Sequence, residues 1–236
     1  MSTTFSNAVV LVTGANGGLG QEFVRQALER GATKVYATAR TPREWGDSRV
    51  VLLALDVTDA ASIDAAVALA GDTSIVINNA GITTANDSLL SGDPAEIRRV
   101  FETNFFGAVA VVRAFAGVVK ANGGGAFVDV HSALSWWAGT GAYSASKAAF
   151  WSASNSMRVE LATAGTHLLG LHMGYVDTPM TAGIDAPMST VEQIVTAALD
   201  GLEAGEYEVL ADDVAVGAKQ GVSAPIEAAY PSLARA

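Results

Sequence analysis

Cysteine is absent from the 236 residues, so disulfides, thiolate catalysis and cysteine-ligated zinc are excluded at the outset. Basic residues are scarce. Fourteen Lys and Arg against 24 Asp and Glu leave a formal charge of −10, which argues against a nucleic-acid surface, where clustered cations are needed. The three histidines, His131, His167 and His172, lack the spacing of metal ligands, and no metal site is expected. Polar or glycine residues interrupt each Ala/Val-rich stretch, so none is expected to reach membrane-spanning length. The opening segment 1–8 has neither the basic start nor the apolar run of a signal peptide. No Gly-x-Ser-x-Gly elbow of a serine hydrolase occurs. The expectation is a soluble, cytoplasmic protein with no nucleic-acid or membrane partner, long enough to bury a core without a staple.

What is present is an alternation. Short β-branched runs at 9–13, 34–38, 50–55, 75–78, 126–130 and 166–171 are apolar throughout, as parallel strands covered on both faces should be. Between them, Ala-rich segments at 20–30, 62–70, 94–120, 143–164 and 191–203 carry helical spacing. Gly31, Gly71 and Gly165 sit just past helical runs, where a left-handed residue ends a helix at little cost. Strand–helix alternation of this kind predicts an α/β fold, a single-domain, Rossmann-like, doubly wound parallel sheet with helices on both faces. No linker or repeat divides residues 1–236. The stretch 215–236, with Pro225 and Pro231, is left as a tail of unassigned structure.

After the first strand comes Thr13-Gly14-Ala15-Asn16-Gly17-Gly18-Leu19-Gly20, opening directly into a helix. Glycines there let the backbone turn tightly and approach a pyrophosphate, and the helix start offers free N–H groups. The spacing differs from the commoner Gly-x-Gly-x-x-Gly, and an ordinary strand-to-helix turn is the bland alternative. At the end of the second strand an acid would suit the ribose of NAD; Arg40 stands there instead. Its planar fork suits a 2′-phosphate, or it is simply a solvated arginine. Asp56 ends the third strand, placed either for an adenine amino group or as a helix cap, a role open equally to Asp59 and Ser62.

Tyr143 and Lys147 lie four residues apart at the start of the 143–164 helix, so phenol and ammonium project to one side. An ammonium about 4 Å away would stabilise a phenolate by roughly 4 kcal/mol at an effective dielectric of 20. That corresponds to a fall of up to about 3 units in the tyrosine pKa, towards the range an acid–base catalyst needs. A core tyrosine beside a surface lysine is the alternative.

Together these pieces resemble the short-chain dehydrogenase/reductase family over nearly the whole chain. Thr13-Gly14-x-x-x-Gly18-x-Gly20 matches its cofactor turn, and Asn78-Asn79-Ala80-Gly81 its Asn-Asn-Ala-Gly motif. Asn104, Ser132, Tyr143 and Lys147 match its catalytic tetrad, and Gly174-Tyr175-Val176-Asp177-Thr178 the segment that closes over nicotinamide. The resemblance implies an oxidoreductase in which Tyr143 protonates a carbonyl oxygen as hydride arrives, and takes the proton back in oxidation. Ser132 would orient that oxygen, Lys147 would lower the Tyr143 pKa and hold the ribose, and Asn104 would position a water leading from Lys147. It also implies cofactor contacts from Thr13, Gly14, Asn16, Gly18, Leu19, Gly20, Arg40, Asp56, Val57, Asn79, Ala80, Gly81, Tyr143, Lys147, Gly174, Val176 and Thr178. With Arg40 in place of the acid, NADP(H) is expected over NAD(H). A non-catalytic NADP(H)-binding sensor on the same fold is the rival, and retention of all four tetrad residues speaks against it. A halohydrin-dehalogenase-like enzyme would lack the glycine turn and carry arginine at the position of Lys147.

The chain departs from the family pattern in places. Gly17 stands where many NADP-preferring members have a basic residue, and Met173 where a proline usually precedes the glycine. The segment between Ser132 and Tyr143 is shorter than usual, with Ser135 as a second, weaker serine candidate, and the lid after Thr178 is small. Trp136 and Trp137 fall in that shortened segment, where they either wall a pocket for apolar or aryl ketones or serve packing and subunit contact. The substrate is expected to be a small apolar or aromatic carbonyl compound or alcohol. A homodimer or homotetramer built on helices 94–120 and 143–164 is what the family resemblance implies.

Overall fold

Residues 3–233 are described by the structure, a computed structural model of the chain. The strands β1 (Val9–Val12), β2 (Lys34–Ala39), β3 (Val50–Ala54), β4 (Ile75–Asn78), β5 (Gly125–Val130), β6 (Thr166–His172) and β7 (Glu208–Leu210) form one parallel sheet in the order β3-β2-β1-β4-β5-β6-β7. Successive residues of β1 face opposite sides. Val10 and Val12 pack with Phe23 and Val24 of α1 (Gly18–Glu29), whereas Leu11 packs with Val111 and Phe115 on the other side. Both faces are thus covered, the doubly wound arrangement that the continuous apolar strands predict.

The helices are α1, α2 (Ala60–Leu69), α3 (Pro94–Phe101), α4 (Ala108–Ala121), α5 (Ala142–Ala162), α6 (Val191–Ala204), α7 (Asp213–Gly221) and α8 (Ile226–Ala229). Local chemistry sets their ends. Asp59 caps α2 by accepting from the Ala61 N–H, so the cap is neither Asp56 nor Ser62. Thr190 and Gln193 form a capping box on α6, and Gly205, at φ +79°, ends it. Gly31 and Gly165 also adopt positive φ beyond α1 and α5, but α2 closes through Ala70 at φ −109° without a left-handed Gly71.

Three readings need correction. The 94–120 segment is helical throughout but is not one α-helix: a π-helical turn, Glu102–Gly107, joins α3 to α4. The continuous stretch Pro94–Ala121 also reaches 28 residues, long and apolar enough by composition to cross a membrane. Val100, Val111, Val112, Phe115 and Val119 along it are buried, which is how a core helix of this length is used. Finally, β7 and α7 follow α6 where no regular element was assigned. Asp212 caps α7 through the Ala215 N–H, and its other oxygen accepts from Gly174 N–H at 2.7 Å. Tyr230 Oη accepts from Ala138 N–H at 2.9 Å, so the tail returns to the segment between Ser132 and Tyr143.

Candidate active site

The strand order reverses between β1 and β4, and in an open parallel sheet that switch point leaves a crevice at the strands' C-terminal ends. The glycine turn lies there. Gly14 has φ +65°, and a Cβ at Gly20 would sit 2.3 Å from Gly14 O and 2.8 Å from Ala15 Cα. A Cβ at Gly18 would meet Thr178 Cγ2 at 2.9 Å, so the 174–178 segment closes directly onto the start of α1. Gly17 precedes α1 with no side-chain cap, and no acid occupies its first turn. The first amides of α1 are thereby kept for an external anion. These features fit the pyrophosphate of a dinucleotide.

Several residues expected to touch the cofactor also hold the turn in shape. Thr13 is fully buried, and its hydroxyl accepts from the N–H groups of Asn79 and Ala80, both at 2.9 Å. The Asn79 amide donates to Thr13 O at 2.9 Å and Gly14 O at 3.2 Å. Asn16 donates to Thr41 O at 2.8 Å, tying the turn to the loop after β2. Arg40 is exposed at the end of β2. Hydrogen bonds from the Thr58 hydroxyl and N–H hold the Asp56 carboxyl below its ordinary range, with the charge of Arg40 adding to them. Val57, next to it, is buried and approaches Gly107 so closely that a Cβ there would lie 2.8 Å from Val57 O.

Ser132 follows β5, and its Oγ accepts from Leu134 N–H at 3.1 Å, which leaves the hydroxyl proton free to donate. Tyr143 opens α5, with its N–H held by both carboxylate oxygens of Asp87 at 3.0 and 3.1 Å. Asp87 was not singled out in the sequence; it lies in the loop after Asn-Asn-Ala-Gly, and no spacing marks it. Lys147 Nζ lies 5.7 Å from the Tyr143 ring centroid and donates to Val130 O at 2.8 Å. Asn104, in the π-helical turn, accepts from Ile82 N–H at 2.8 Å and donates to Ile82 O and Ser146 Oγ. A Cβ at Gly81 would lie 3.5 Å from Asn104 Oδ1 and 3.7 Å from Lys147 Nζ, so the two side chains converge on that glycine.

The charge balance differs from the sequence expectation. Burial pushes the Tyr143 phenol up to about 12; the Ser132 hydroxyl pulls it down, and Asp87 adds to the rise. The Lys147 ammonium is bound to the Val130 carbonyl, and burial pushes Lys147 itself down to about 8, partly offset by Asp129, so its pull on the phenolate does not outweigh the burial of the phenol. The fall expected from a 4 Å ion pair is not reached because the lysine packs over the ring and binds a main-chain oxygen.

Ser132 and Tyr143 share a cavity of ≈ 210 Å³ whose other walls include Leu19, Trp137, Met173, Gly174, Val176, Thr178, Met180, Ile184 and Val214. Met180 and Ile184 come from the short lid, Val214 from α7. Trp137 takes one of its two expected places, on the wall. Trp136 does not line this cavity. Its ring stacks on His172, 4.0 Å between centroids, and meets Trp151 edge-on. A roomier hollow of ≈ 680 Å³ lies at the opposite, N-terminal ends of the strands and includes none of the tetrad.

A parallel sheet with a phosphate-fitting turn and a Ser–Tyr–Lys group at the strands' carboxyl ends defines a dinucleotide-dependent oxidoreductase. Residues 8–189 match the short chain dehydrogenase family, and the chain belongs to it. It is 34% identical to a cis-4-hydroxycyclohexanecarboxylate dehydrogenase of Sinomonas cyclohexanicum, over 79% of this chain and 80% of that one. Identity to a galactitol 2-dehydrogenase (L-tagatose-forming) of Cereibacter sphaeroides is also 34%, over 74% and 73%. A short chain dehydrogenase from Burkholderia cenocepacia J2315, solved in complex with NADP, superposes with a TM-score of 0.91 at 35% identity, covering 98% of this chain and 100% of that one.

Proposed function

We propose that the protein is an NADPH-dependent reductase of uncharged, apolar ketones or aldehydes, working reversibly on the corresponding alcohols. One observation carries this reading: Ser132 and Tyr143 share the wall of a largely apolar cavity, with Lys147 packed against the tyrosine ring. The turn Gly14 to Gly20 would hold NADPH, which would supply the hydride. Tyr143 donates the proton to the carbonyl oxygen, and Ser132 donates a hydrogen bond to the same atom, holding it towards the phenol. Lys147 stabilises the phenolate left behind, and Asn104 keeps the Ile82 turn in place beside it. In oxidation the phenolate takes the proton back.

Among the described residues none that lines the cavity carries a charge. The Sinomonas relative is named for a carboxylate, yet no lining cation here answers one, which supports a neutral substrate. Trp137 gives that substrate a flat apolar wall. Trp137→Ala is expected to change the ratio of rates on aryl and small aliphatic ketones by about two- to tenfold, the worth of an aromatic contact. NADPH affinity should stay as it is; equal relative rates across a ketone panel would remove Trp137 from the specificity wall.

Preference for NADPH rests on Arg40, and the NADP held by the Burkholderia relative supports it. Arg40→Ala should lower kcat/KM for NADPH by about ten- to a hundredfold, the loss of a charge-assisted hydrogen bond, with NADH kinetics little changed. A parallel fall for both cofactors would place Arg40 outside the 2′-phosphate site. The primary test is oxidation of NADPH and of NADH against aryl and aliphatic ketones. Turnover with NADPH is the expected result, whereas tight NADPH binding with no turnover of any carbonyl would favour a sensor. Exposed Phe106 and Val159, on the π-helical turn and on α5, support self-association through these helices; a monomer in sedimentation at micromolar concentration would exclude it.

A further inference from the structure

His172 is the last residue of β6 and is fully buried. Its Nδ1 lies 3.1 Å from the main-chain oxygen of Ser132. A carbonyl oxygen only accepts, so Nδ1 carries the proton of this bond. The ring is clamped on both faces, by Trp136 at 4.0 Å and 18° and by His131 at 4.8 Å and 25° between centroids and planes. Phe150 of α5 packs on the far side of His131, 4.7 Å away, so the stack is anchored on the helix that carries Tyr143 and Lys147.

We propose that His172 is a positioning residue for the reaction: its Nδ1–H fixes the peptide plane of Ser132 and thereby aims the Ser132 hydroxyl at the oxygen shared with Tyr143. The inference rests on the reading of Ser132 given above. Ser132 leaves the sheet at this point. The N–H groups of His131 and Ala133, on either side of it, are bound to Leu171 O and Met173 O, both at 2.8 Å. The serine carbonyl is received by Ser135 N–H at 3.0 Å and by His172. The Ser135 bond belongs to the short turn that follows and moves with it; the histidine bond comes from the sheet and gives an absolute reference. The stack keeps the ring from turning, and Trp136 acquires a role as the outer plate of that clamp.

The donor is permanent over the working range. Burial pushes His172 down to about 3, so it holds one proton, and the Ser132 carbonyl places that proton on Nδ1. The charged groups facing Nε2 are Glu208 of β7, 3.7 Å away, and Lys219 of α7, which is paired with Glu208. The carboxylate is thereby occupied by the lysine, and the imidazole stays neutral.

Two substitutions separate the donor from the stack. His172→Phe keeps a ring between Trp136 and His131 but has no donor. His172→Asn loses the ring but places an amide N–H at the δ position, where Nδ1 stood. For His172→Phe, kcat for ketone reduction should fall about ten- to a hundredfold, the scale of a misaligned catalytic group, with KM and NADPH affinity little changed. His172→Asn should recover most of that kcat although its melting temperature is the lower of the two. Unchanged kcat in His172→Phe, or kcat that follows the melting temperature instead of the donor, would overturn the inference. Ser132→Ala run alongside separates the levels. Loss of turnover there with a normal His172→Phe removes only the positioning role, while full turnover in Ser132→Ala removes the reading of Ser132 itself.

Discussion

Tyr143→Phe should lower kcat for carbonyl reduction by about 10²–10⁴-fold, the usual contribution of a positioned general acid, while NADPH still binds. The variant keeps the ring that packs under Lys147, so a loss reports the proton and not a collapsed site. The pH dependence follows from the raised phenol. With Tyr143 pushed up to about 12, the proton is in place throughout the ordinary assay range, and reduction should vary little with pH on its account. Alcohol oxidation needs the phenolate, so its rate should climb as pH rises, less steeply above about 8, where Lys147 gives up its charge. A Tyr143→Phe variant with wild-type turnover, or oxidation that falls with pH, would exclude Tyr143 as the proton carrier.

Gly20→Ala should be nearly as damaging, at the other end of the site. The new Cβ would lie 2.3 Å from Gly14 O and 2.8 Å from Ala15 Cα, both backbone atoms that no rotamer change can move aside. Either the turn opens or α1 shifts outward. Overpacking of this kind costs about 1–3 kcal/mol of stability. The larger effect falls on the cofactor, because the amides at the start of α1 and the Gly14 turn are displaced together. Thermal unfolding with and without NADPH measures both: a lower melting temperature and a much smaller upward shift on adding NADPH. An NADPH shift equal to that of the unaltered protein would show that the turn does not carry the pyrophosphate.

What could be read in the sequence was what repeats or clusters along it. The strands 9–13 and 126–130 announce themselves as unbroken apolar runs, and Tyr143 and Lys147 are related by helical spacing alone. β7 is three residues long, Glu208–Leu210, too short for any period to show, and its loss hid the edge of the sheet and the contacts of Glu208. The π-helical turn was invisible because Glu102 to Gly107 stay helical and only the hydrogen bonding widens, which no residue pattern marks. Asp87 reaches Tyr143 across 56 positions and Gly174 meets Asp212 across 38, and no local pattern encodes such pairs. Trp136 and Trp137 are the sharpest case. They are adjacent and chemically identical, yet one rests on a buried histidine and the other faces the cavity, a difference that only their tertiary neighbours reveal.

The widened turn between α3 and α4 stores one fact about the site in chain length instead of side-chain chemistry. Each residue of an α-helix turns the chain by about 100°. Removing a single residue between 102 and 107 would close the widened turn into ordinary helix, with α3 and α4 keeping their phase on either side while the side chains within the turn are re-aimed. The buried row Val111, Val112 and Phe115 would keep its seat on the sheet, and Asn104, whose bonds to Ile82 depend on its place within the widened turn, is the residue at stake. Single-residue deletions here are therefore expected to cost activity more than fold, and more than point changes at the exposed Glu102 and Phe106, a form of constraint that residue-by-residue comparison does not register.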